Sequence, residues 1–159
     1  MKIARTLGLL LAMTISPTAL SQEVRKINTC FEDALAALRL SQLEDGIARC
    51  DEVIENATTA PQRRGEAYAQ RGLMQARRWA IMPTTTLATQ GIADITEALK
   101  LHAPPSNRKH HLWLVRAQLY IATGQTRRAS DHFTAILRED PGNREAKSGL
   151  ARIGTSSGT

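Results

Sequence analysis

Two cysteines, four histidines and a run of arginines are the residues in this 159-residue chain whose types bear on chemistry. Thiols act as a redox pair in CxxC spacing, as metal ligands beside histidine, or as a structural cross-link. Cys30 and Cys50 lie 20 residues apart, so the redox-pair spacing is not met. The histidines are His102, His110, His111 and His132. A metal site needs three or four converging ligands, and His110 and His111, adjacent on a helix, point apart. Periodicity places His132 on an exposed face, next to an inward-facing Phe133. The chain holds no HExxH, no GxSxG and no phosphate-binding loop. These residues predict no catalytic centre, no metal and no cofactor.

The arginines offer a different chemistry. Arg64, Arg71 and Arg78 recur every seven residues and fall on one side of a helix. Such a stripe meets phosphate or an anionic lipid head group, or else it is a solvated face partly neutralised by carboxylates. No aromatic platform accompanies it, so nucleic acid is not an expected partner.

The elements that position these residues are helical. Aromatic residues make up only 4% of the chain, and alanine-rich runs suit helices packed through small side chains. Helical spacing of apolar residues predicts helices over Val24–Leu40, Leu43–Asn56, Arg63–Ala80, Ala88–Leu101, Lys109–Thr123, Arg127–Arg138 and Arg144–Ile153. "NATTAP", "MPTTT", "HAPPSN" and "EDPGN" separate them, rich in residues that stop helices. Ahead of these lies "MKIARTLGLLLAMTISPTALSQ", with Lys2 and Arg5 before a short apolar run that is broken at Pro17. That is the pattern of a secretory signal peptide, with cleavage expected after Ser21 and a periplasmic or secreted product. The expected organisation is a signal peptide over 1–21, one helical domain over 22–153 and a disordered tail over 154–159. Without Lys2 and Arg5, the 21 basic residues become 19 against 15 acidic ones, a mild positive charge of +4.

The helices also repeat. "GIARCDEVIE" (Gly46–Glu55) and "GIADITEALK" (Gly91–Lys100) share their opening, and "RASDHFTAIL" (Arg128–Leu137) continues the series. In this alignment Cys50, Ile95 and Phe133 share one place, and Val53, Ala98 and Ile136 another. Upstream, "YAQRG" at Tyr68–Gly72 is similar to "WLVRA" at Trp113–Ala117. The unit is a helical hairpin occurring about three times, and stacking such units makes one continuous core.

Trp113, Ala117, Tyr120, Gly124, Ala129, Phe133 and Pro141 carry a family likeness: the third unit resembles a tetratricopeptide repeat. The resemblance implies an all-α, right-handed stack of about three antiparallel hairpins, with Trp113, Tyr120 and Phe133 in the core. It also implies a non-enzymatic module that binds a protein or peptide through the first helices of its hairpins. The family's groove-lining positions fall on Asn28, Phe31, Leu35, Leu38 and Arg39 in the first unit. In the second they fall on Glu66, Ala69, Leu73, Ala76 and Arg77, and in the third on His111, Leu114, Gln118, Ile121 and Ala122. This set departs from the basic, asparagine-containing clamp that some relatives close on a terminal carboxylate. Its apolar centre, with Arg39 and Arg77 at the margin, suits a helical or extended partner segment with an acidic flank.

The cysteine separation equals that between Trp113 and Phe133. In a helical hairpin this offset sets the start of the first helix against the middle of the second, so a Cys30–Cys50 disulfide is geometrically reasonable in an oxidising compartment. Two buried thiols that only fill space are the other reading. Two further function classes stay open from sequence: a homo-oligomeric envelope protein burying the same apolar face between subunits, and a peripheral membrane protein using the arginine stripe.

Overall fold

In a computed structural model, the chain is described at Cys30 and over residues 39–101 and 104–156. These residues form six helices and no strand: α1 (Leu40–Glu55), α2 (Pro61–Ile81), α3 (Thr85–Leu101), α4 (Ser106–Ala122), α5 (Thr126–Glu139) and α6 (Arg144–Ser156). Each helix packs on the next, and α4 also touches α2 and α6. The result is a stacked series of helical hairpins, α2–α3 and α4–α5, preceded by α1 with the helical residue Cys30 and closed by α6. The all-α repeat architecture expected from the sequence is what forms.

Local chemistry sets the helix ends. Pro61 opens α2 at a position where a missing N–H costs nothing. Thr84 Oγ1 accepts the Leu87 N–H at 3.2 Å, so α3 starts at Thr85, three residues before the expected Ala88. Gly124, with φ of 74°, makes the left-handed turn between α4 and α5, and its N–H donates to the Ile121 carbonyl at 3.1 Å. Asn143 Oδ1 accepts the Ala146 N–H at 3.0 Å and starts α6. That helix runs to Ser156, past the expected end at Ile153.

The core is a chain of three apolar clusters along the stack. Cys30, Leu43, Cys50, Val53, Ala67 and Met74 form the first. Ala69, Ala88, Ile95, Ala98, Leu112 and Leu119 form the second, and Leu114, Ala117, Tyr120, Ala129, Phe133, Ile136 and Ala146 the third. The repeat alignment predicts this order: Cys50, Ile95 and Phe133 are all buried, as are Val53, Ala98 and Ile136. Cys30 and Cys50 are disulfide-bonded, with their Cα atoms 5.2 Å apart. Closing that 20-residue loop removes unfolded-state entropy worth about 3 kcal/mol on a chain-entropy account. Trp113 differs from expectation, being half-buried at the edge of the third cluster.

One side chain ties neighbouring hairpins together, and it recurs. Arg71 on α2 donates through Nε and Nη2 to both carboxylate oxygens of Asp94 on α3, at 2.8 and 2.6 Å, and through Nη1 to Asp51 on α1. Asp94, then Asp51, hold its pKa above the ordinary arginine value against the opposing effect of burial. Arg116 on α4 stands in the same repeat position. Its Nε–H donates to His132 Nε2 on α5 at 3.1 Å, and its Nη1 to Thr96 Oγ1 on α3 at 2.9 Å. Each arginine therefore bridges the second helix of its own hairpin and the second helix of the hairpin before.

Candidate functional site

α2 and α4, the first helices of two consecutive hairpins, leave a groove of about 260 Å³ between them. Gln70, Leu73, Ala76, Arg77 and Ala80 line it from α2, and His111, Val115 and Gln118 from α4. Leu73, Ala76 and Val115 are half-buried and give it an apolar floor, while Arg77, Ala80, His111 and Gln118 are exposed. No carboxylate lines it among the described residues. Ile81 and Met82, the large apolar residues most open to solvent in the described chain, follow directly on Ala80. Gln70 is only 4% exposed, and its Oε1 has no hydrogen-bond partner. Gln75 on the same helix, 6% exposed, also has an Oε1 without a hydrogen-bond partner.

The structure brings together Leu73, Arg77 and Gln118 of the expected set, with Ala76 and His111. Phe31, Leu35 and Leu38 lie outside the described residues, as do Asn28 and the expected signal peptide. Arg39 does not join the groove. It is exposed at the N-cap of α1, where its N–H donates to Gln42 Oε1 at 3.0 Å. Leu114 and Ile121 are also elsewhere: both belong to the apolar cluster that contains Ala146, Leu150 and Ile153 of α6. The capping helix covers that side of α4, and Val115 takes the place in the groove that Leu114 was expected to hold.

A similar exchange between neighbours occurs on α2, where Ala69 packs into the second core cluster and Gln70 lines the groove. Gln70, Ala80 and Val115 are the lining residues that sequence reasoning missed. The signal for Gln70 was available: in Ala69–Gln70 the smaller, more apolar residue belongs in the packed seam.

The arginines of the stripe each bond to groups of the chain itself. Arg64 donates to the backbone carbonyls of Thr59 at 3.1 Å and Asn56 at 3.4 Å. Arg71 holds Asp94 and Asp51, and Arg78 pairs with Glu44 at 3.2 Å. The stripe faces α1, α3 and the turn after α1, where Arg71 and Arg78 meet carboxylates and Arg64 meets carbonyl oxygens.

His132 is also not where periodicity put it. It is half-buried between Trp113 and Tyr120, its ring 5.8 and 5.7 Å from theirs and nearly parallel to both. Because Nε2 accepts from Arg116, the neutral ring carries its proton on Nδ1. Burial first, then the nearby Arg116 charge, lowers its pKa to about 4. Burial also lowers the Arg116 pKa, although the guanidinium stays charged at neutral pH. His110 and Lys109 instead reach Glu139, at 3.0 and 2.9 Å. Among the described residues no three His, Cys, Asp or Glu side chains converge as metal ligands would. No described helix is long and apolar enough to cross a membrane.

Compared with known families, residues 110–153 match the tetratricopeptide repeat. The match covers most of α4, all of α5 and most of α6, the part that carries Trp113, Ala117, Tyr120 and Phe133. It gives this part of the chain a tetratricopeptide-like character. No curated protein and no solved structure matches the chain.

Proposed function

We propose that this chain is an exported, non-enzymatic scaffold that binds another protein in the groove between α2 and α4. The observation that carries this reading is the groove itself: an apolar floor of Leu73, Ala76 and Val115, rimmed by Arg77, His111 and Gln118 on two stacked helices. Ordinary ligand pockets share this mix of apolar lining and few convergent polar groups, and helical arrays use such surfaces for partners. The tetratricopeptide-like match supports a binding rather than a catalytic role. Export is supported by the disulfide, a bond that persists in oxidising compartments, and by the apolar N-terminal run after Lys2 and Arg5.

The test is a photo-crosslinking residue placed at Gln118, with the exposed Arg127 on α5 as the control position. One partner should crosslink from position 118 and not from 127. Leu73→Glu should cut the yield more than tenfold while the melting curve shows a folded protein. Equal crosslinking from both positions would remove the groove as the binding site. A stable dimer by light scattering, crosslinked to itself at 118, would assign the groove to a second copy of the chain. Cell fractionation with N-terminal sequencing tests export, with a new terminus at Gln22 as the expected outcome.

A further inference from the structure

Ile81 and Met82 form the tip of the α2–α3 hairpin, 54% and 43% exposed. Pro83 and Thr84 to Thr86 beyond them are exposed as well. No charged residue stands between Arg78 and Asp94, so the whole turn is free of charge.

Contacts along the helices place this tip among other turns. α1 and α2 run antiparallel, since Arg71 bonds Asp51 and Arg78 bonds Glu44. α3 and α4 do the same: Arg116 bonds Thr96, and Leu119 lies against Gly91. α5 returns along α4, with His132 on Arg116 and Glu139 on Lys109, and α6 returns along α5, with Gly149 on Phe133. The start of α1, the α2–α3 and α4–α5 turns and the end of α6 therefore lie at one end of the stack. Among the described residues, that end holds Arg39, Arg77, Arg78, Arg127, Arg128 and Arg152. Its carboxylates are Glu44, Asp45 and Asp131. The surplus of positive charge is a balance over the whole end, so it stands whichever of these groups pair. The opposite end, residues 52–66, 97–109 and 138–147, carries nearly as many carboxylates as cations.

We propose that the α2–α3 end of the stack docks on an anionic lipid surface. Ile81 and Met82 enter the head-group layer, and the surplus arginine charge meets lipid phosphates. The turns at this end all face one way, so a flat surface reaches them together. Charge is costly inside a bilayer, and the tip brings none with it. A fluid interface receives a protruding apolar tip without a matching pocket, which an acidic protein would have to provide. No described helix is fit to cross the bilayer, so the contact is peripheral. Docking by this end leaves the side of α2 and α4 open, and the inference is independent of what their groove holds.

The test uses the disulfide-bonded chain from Gln22, which contains every described residue and lacks the apolar N-terminal run. Co-sedimentation is measured with vesicles of phosphatidylcholine alone and with phosphatidylglycerol added. Binding should require phosphatidylglycerol and fall more than tenfold between about 0.1 M and 0.5 M salt. Ile81→Ser with Met82→Ser should weaken it about five- to tenfold at an unchanged melting temperature, because both side chains already face water in the free protein. Arg39→Glu with Arg127→Glu should weaken it more than tenfold. Arg138→Glu with Arg144→Glu makes the same charge change at the opposite end, beyond the Debye length of about 10 Å, and should alter binding less than twofold. Equal losses from the two arginine pairs would mean attraction by net charge without a docking face, and would overturn the proposal. So would equal binding to both vesicles, or an unchanged affinity on Ile81→Ser with Met82→Ser. Failure to bind either vesicle also overturns it, and a photo-crosslink from position 82 to a protein would then give the tip to a protein partner.

Discussion

Arg116 and His132 occupy the places that Arg71 and Asp94 hold one hairpin earlier, and the exchange of Asp for His changes how the protein meets acid. Arg71 is answered by two carboxylates, whereas Arg116, 9% exposed, is answered by a neutral imidazole and a hydroxyl. His132 has a folded pKa of about 4, below the usual 6.5, so the unfolded chain takes up a proton first as pH falls. Stability from this group is complete above pH 6.5 and is lost progressively as pH falls toward 4. His132→Asp places a carboxylate where Asp94 already shows that the geometry works. Melting curves at steps between pH 7 and pH 4 should slope downward for the parent protein. They should stay nearly flat for His132→Asp, whose own loss begins only below about pH 4. The same slope in both proteins would show that His132 does not govern this range. None of this was legible in the sequence, where periodicity put His132 outside. Its partners Trp113 and Arg116 come from 19 and 16 residues away on another helix. The cysteine pair was legible, because its spacing could be compared with a better-marked repeat in the same chain.

Among the elements, helix order and hairpin register could be read from sequence, while the exact face each helix shows could not. Cys50, Ile95 and Phe133 aligned correctly because a packed seam demands apolar residues at each repeat. Leu114 and Ile121 were misplaced because α6 covers that side of α4, and a short capping helix leaves little trace in the pattern of α4 itself. How tightly α6 seats is set by Gly149. A methyl group built there would run into the Phe133 ring, within 2.7 Å of Cε1. Phe133 is 1% exposed and fills the centre of the third cluster, so it cannot step aside cheaply. Gly149→Ala should therefore destabilise the protein by about 1–3 kcal/mol, despite the better helix propensity of alanine. Hydrogen exchange should show faster opening of α6 and α5 than of α2 and α3. Unchanged stability would mean that α6 rides over Phe133 more loosely than the structure shows.

In the whole molecule, the recurring arginine says where the stack can lengthen. Arg116 reaches Thr96 on the helix before it, and in the repeat alignment Thr134 on α5 stands where Thr96 stands on α3. Another copy of α4 placed after α5 would thus find a threonine waiting for its own arginine. α6 does not use that place: counting from the buried Leu112 of α4 to the buried Ala146 of α6, Leu150 falls where Arg116 would. α6 thus lacks the arginine, while the hairpin α4–α5 keeps the receiving half of the joint. A tandem duplication of residues 106–143 should consequently grow the protein by a unit instead of disrupting it. The expected product is monomeric, with helical ellipticity raised in proportion to the added α4 and α5 and a melting temperature no lower than the parent's. Loss of cooperativity in its unfolding would show that the joint needs more than arginine and threonine. Lengthening by copying then requires no new residues, which makes this short chain an open-ended building set.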